Sequence, residues 1–127
     1  MIGRLHHIVL DSADPRSEST FWSGVLGWPI SYSDGDWTVV SVDQTTSGLA
    51  VQLAPDHIPP RWPDPTSSQQ VHLDIMVDDL PTAIAQVLAL GARRLSPPGA
   101  DNDVFADPSG HPFCLVRRPG WAAPING

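Results

Sequence analysis

Val71-His72-Leu73-Asp74-Ile75-Met76-Val77 is followed by Asp78-Asp79 and then by Ala83, Ile84, Val87 and Leu88 at helical spacing, up to Gly91. The alternation predicts a strand with Val71, Leu73, Ile75 and Val77 on one face and His72, Asp74 and Met76 on the other. The two aspartates supply helix caps, and the glycine supplies the stop. The same order stands once before. Leu5–Asp11 predicts a strand, Asp14 a cap with Pro15 at the first helical position, and Phe21, Trp22, Val25 and Leu26 one helical stripe that Gly27 ends.

Each helix is followed by three short strand candidates. After the first they lie at 29–33, 37–42 and 49–53, separated by Asp34-Gly35-Asp36 and by Gln44-Thr45-Thr46-Ser47-Gly48. After the second they lie at 93–95, 104–106 and 113–116, with turns at Ser96-Pro97-Pro98-Gly99 and Asp107-Pro108-Ser109-Gly110. A repeated strand-helix-strand-strand-strand order predicts an α+β fold of two βαβββ modules, since such units bury their apolar faces by stacking on neighbours. The expected architecture is a curved sheet around a small-molecule cup, with the helices on the outer face. The boundaries are module one at 4–55, a Pro-rich linker at 56–70, module two at 71–118 and a tail at 119–127, within a single domain of 127 residues.

The charge balance, seven Lys and Arg against fourteen Asp and Glu for a net −7, argues against a nucleic-acid partner. No run of residues is apolar enough to cross a membrane and the start lacks a signal-peptide core, so a cytoplasmic protein is expected. Cys114 is the only cysteine, which rules out an intrachain disulfide and agrees with a reducing compartment. No Gly-rich phosphate loop, Gly-x-Ser-x-Gly elbow or His-Glu-x-x-His pair occurs.

Splitting each strand into its two faces isolates the chemistry-bearing residues. His7 and His72 hold matching places in the repeat. Leu49, Val51 and Leu53 form a bulky face opposite Ala50, Gln52 and Ala54, and Cys114 stands opposite Phe113 and Leu115. If the sheet curls, His7, Gln52, His72 and Cys114 point into one concavity. Asp74 shares a face with His72 and is placed either to supply a carboxylate there or to orient the imidazole. Trp37, Gln52, Met76 and Cys114 are the expected ligand-contacting residues, and Trp62 and Trp121 are further candidates for an apolar wall. Asp11 is expected in a turn, Asp14, Asp78 and Asp79 as helix caps, and His57 and His111 at the surface.

The layout resembles the vicinal-oxygen-chelate superfamily, which includes glyoxalase I, extradiol dioxygenases and bleomycin-resistance proteins. The stretches that carry the likeness are Leu5–Leu10, Phe21–Trp28, Val71–Leu80 and Phe105–Phe113. The resemblance implies metal positions at His7, Gln52, His72 and Cys114, and homodimers. The sequence departs from the pattern where the fourth strands usually carry carboxylates, because Gln52 and Cys114 stand there instead. Two functions are thus expected as rivals. One is a lyase or dioxygenase with a divalent metal ion of open identity at His7, His72 and Cys114, and with Gln52 and Asp74 as catalytic groups. The other is a metal-free protein of the bleomycin-resistance type that sequesters a hydrophobic or cationic compound. A third, a subunit interaction module, needs no ligand.

Overall fold

Period-two alternation and β-branched residues give β1 at His7–Ser12, and the turn that follows leads into α1 at Pro15–Leu26. The Asp14 carboxylate accepts the Ser17 N–H at 3.2 Å, and Gly27 closes the helix in the left-handed region (φ 67°), which a residue without a Cβ adopts at little cost. Then come β2 at Ile30–Ser33, β3 at Trp37–Val40 and β4 at Gly48–Leu53. The order in the sheet is β1-β4-β3-β2, with β4 parallel to β1 and the other pairs antiparallel. The computed structural model describes residues 1–126, and it divides into two compact units, Met1–Ile58 and Pro59–Gly127.

In the first unit, register puts Thr38 beside Val51 and Val40 beside Leu49, and all four are buried. Helix α1 packs against β3 and β4 and brings Phe21 and Trp22, which meet edge to face with ring centroids 5.2 Å apart. The buried indole N–H of Trp22 donates to Glu18 at 3.1 Å, so the helix keeps its polar groups paired inside the core.

The second unit repeats the plan. β5 at Leu73–Val77 leads to α2 at Leu80–Leu90, capped by Asp79, whose carboxylate accepts the Thr82 N–H, and closed by Gly91. β6 at Arg93–Arg94, β7 at Asp103–Ala106 and β8 at Pro112–Arg117 complete a sheet of order β5-β8-β7-β6, again with its first and last strands parallel. Helix α2 packs against β8, and its Ala83 and Val87 are buried. Phe105 and Phe113 pair across β7 and β8, stack at 5.8 Å and have no exposed surface.

Four expectations are corrected. Val71 lies outside β5 and is 68% exposed, so the apolar face begins at Leu73. Asp78 is not a cap, because its carboxylate pairs with Arg118 at 2.5 Å and accepts the N–H groups of Ile125 and Asn126, fastening the tail to the strand end. Asp11 belongs to β1 rather than to a turn, since pairing with β4 extends one residue beyond it. His57 and His111 are half-buried rather than surface residues. The Pro-rich stretch also gains a short 3-10 turn at Pro65–Ser67, started by Asp64 accepting the Thr66 N–H.

Candidate functional site

The face of the first sheet opposite α1 carries the residues singled out by alternation. Parallel pairing sets Asp11 beside Gln52, and antiparallel pairing sets Gln52 beside Trp37, so the three form one row across β1, β4 and β3. Toward the other end of the same face, His7 pairs with Gly48. The backbone N–H of Gly48 donates to His7 Nδ1 at 3.0 Å. A neutral imidazole that accepts at Nδ1 carries its proton on Nε2. Burial and the adjacent His6 imidazole, whose ring centroid is 3.9 Å away, hold the His7 pKa below its ordinary value and so favour that neutral form.

The same face opens into a hollow of about 380 Å³, lined by His6, His7, Ser31, Tyr32, Trp37, Val39 and Ser41 together with the 44–47 loop. The loop is ordered by Asp43, whose carboxylate accepts the Thr45 N–H and both threonine hydroxyls at 2.8 Å. Alternation in the sequence had picked out His7 and Trp37. It missed His6, Tyr32 and the loop, because Gln44-Thr45-Thr46-Ser47 reads as turn chemistry alone and β2 carries a register shift between Ile30 and Tyr32.

In the second unit His72, which falls just before β5 rather than on it, comes together with Asp74 on β5 and Cys114 on β8. Asp74 pairs with Cys114 in register, and His72 Nε2 lies 3.3 Å from Asp74 Oδ1. One ligand atom from each of the three lies within 4.8 Å of the others. Burial, followed by the charge and hydrogen bond of Asp74 and then by Asp103, pushes the Cys114 thiol up from its ordinary pKa. Met76 and Val116 pair on the same face, with Met76 exposed.

As to the metal that the superfamily implies, the two fourth-strand positions behave differently. Gln52 brings no charge. Cys114 has an imidazole and a carboxylate beside it, a mixed nitrogen, oxygen and sulfur set that suits zinc and similar ions. Asp74 would supply to such an ion the carboxylate that β8 lacks. The arrangement at His7 fits less well, because its Nδ1 lone pair is already engaged by Gly48.

Two sheets of this order, each packed by one helix, define a class of small α+β proteins built on a repeated module. A glyoxalase-like domain model matches residues 7–116, and the chain belongs to that family, within the vicinal-oxygen-chelate superfamily. No curated protein matches the chain. Among solved structures, it is similar to a glyoxalase-related enzyme from Fulvimarina pelagi (18% identity, 99% of this chain and 96% of the other, TM-score 0.66). It is also similar to a glyoxalase/bleomycin resistance protein/dioxygenase family enzyme from Burkholderia phytofirmans PsJN (15% identity, 91% and 98%, TM-score 0.69). A third is a mutant of the fosfomycin resistance protein FosX from Listeria monocytogenes, complexed with Mn(II) and a dihydroxypropylphosphonic acid (19% identity, 94% and 96%, TM-score 0.64). At these identities the likeness is one of fold. No helix among the described residues is long and apolar enough to cross a membrane.

Proposed function

We propose that this chain is a metal-dependent lyase or dioxygenase of the vicinal-oxygen-chelate type, in which His72, Asp74 and Cys114 hold a divalent ion and a small oxygen-bearing molecule is the substrate. The observation that carries the reading is the gathering of an imidazole, a carboxylate and a thiol within 4.8 Å of one another. The Mn(II) complex of the Listeria FosX lends it support. When bound, such an ion polarises substrate oxygens and lowers the cost of negative charge on them. Asp74 lies between the other two groups, so it orients the His72 ring and holds the Cys114 proton until a ligand takes the sulfur. Homodimerisation belongs to the same proposal, and sedimentation equilibrium checks it.

Elemental analysis of protein from metal-supplemented growth, with calorimetric titration of Zn(II) and Mn(II), tests this. A stoichiometric ion that His72→Ala and Cys114→Ser each weaken at least tenfold supports the reading. Protein that takes up neither ion, or takes them up equally well in both variants, sinks it.

One observation favours a second reading, a protein that sequesters a compound without transforming it: the hollow on the first sheet, with Trp37 and Tyr32 in its lining and no carboxylate beside His7. Unchanged ligand after prolonged incubation with metal-loaded protein is the outcome that selects it.

A further inference from the structure

We infer that the hollow of the first unit binds an uncharged, planar aromatic molecule through its acceptor oxygens, a carbonyl among them, with His7 Nε2–H and the Trp37 indole N–H as donors. This takes up the sequestering reading, names its ligand class, and is independent of any metal in the second unit.

The hydrogen-bond donors around the hollow select its ligand. No Lys, Arg, Asp or Glu lines the hollow, so neither a phosphate-like anion nor a cation finds a charged partner there. Its hydroxyls are already engaged within the unit. Those of Ser31 and Ser41 lie 2.6 Å apart, and Ser41 also reaches the Asp43 carbonyl. The Thr45 and Thr46 hydroxyls donate to Asp43, the Ser47 hydroxyl to the Leu5 carbonyl, and the Tyr32 hydroxyl to Asp34. The Gln44 amide donates to the Ser31 carbonyl.

Beyond the exposed His6 imidazole, whose N–H water reaches, two ring N–H groups are left. Gly48 occupies His7 Nδ1 and leaves the proton on Nε2, and the Trp37 indole N–H donates to no group among the described residues. A ligand that satisfies both supplies acceptor oxygens. The rings of Trp37, Tyr32 and the His6–His7 pair offer flat faces, and about 380 Å³ lies near the lower end of the range for small-molecule sites, room for a molecule of one or two rings.

Calorimetric titration with 4-chromanone, with its deoxygenated analogue chroman, and with 1-naphthoate as a charged aromatic tests the inference. Tighter binding of 4-chromanone than of either comparator, by at least tenfold, supports it. So does its persistence in EDTA. Trp37→Phe keeps the flat wall and removes the N–H, and is expected to weaken 4-chromanone at least fivefold while leaving chroman unchanged. Nitrogen-15 spectra of the histidines read the His7 tautomer without any ligand, and a proton on Nε2 is the expected state. Equal affinity for chroman, preference for the anion, loss of binding in EDTA, no binding of any probe, or a proton on Nδ1 each overturns it. Loss in EDTA alone returns the weight to the metal reading, so the two fail separately.

Discussion

The N–H of Gly48 donates to Nδ1 of His7 across 3.0 Å, which adds a side-chain bond to the pairing of the first strand of the first unit with its last, beside the hollow. It fixes the ring, assigns its proton to Nε2, and ties the recognition chemistry of the hollow to the pairing of β1 with β4.

Gly48 leaves no room for a side chain. A Cβ there would collide with the Val40 carbonyl oxygen and lie 2.9 Å from the Ser41 Cβ, so backbone must shift to admit one. Overpacking of this kind costs about 1–3 kcal/mol. Gly48→Ala is expected to lower the urea midpoint by a corresponding amount, whereas Gly35→Ala, with open space around it but a φ of 93°, tests strain alone.

Acid loosens the same junction. Burial and His6 hold the folded-state pKa of His7 below its unfolded value of about 6.5, so the unfolded chain takes up the proton more readily. Stability attributable to His7 is therefore complete above that unfolded value and lost as pH falls from there through the folded one. Protonation also places a hydrogen on Nδ1, facing the Gly48 N–H. Thermal unfolding followed from about pH 7.5 to about pH 5, a window that brackets the unfolded value, is expected to show a decline that is shallower in His7→Gln than in wild type.

The Cys114 thiol is expected to resist alkylation. Burial raises its pKa, and the Asp74 carboxylate adds to the effect, which keeps the thiolate scarce at neutral pH. Iodoacetamide should modify it more slowly than a free cysteine at mildly alkaline pH, and Asp74→Asn should speed the reaction severalfold. Mass spectrometry of timed samples checks this. Equal rates in the two proteins would mean that Asp74 does not govern the thiol.

The second unit rests on its phenylalanine pair. Phe113 is fully buried and stacks on Phe105, so Phe113→Ala is expected to cost about 3–5 kcal/mol. Val71→Ala, at a position 68% exposed, is expected to change stability by less than about 0.5 kcal/mol. Chemical denaturation of the two variants compares them directly.

Local chemistry determined the elements. Asp14 and Asp79 cap the helices that Gly27 and Gly91 end, and alternation assigned His72, Asp74 and Cys114 to one face, because caps and side-chain periodicity depend on neighbours within a few residues. Only the tertiary structure decided that β4 returns beside β1, that Gly48 engages His7, and that the 44–47 loop with Tyr32 and His6 completes a hollow. Strand order and register come from contacts between residues far apart in the chain, as between His7 and Gly48, and no local pattern encodes them.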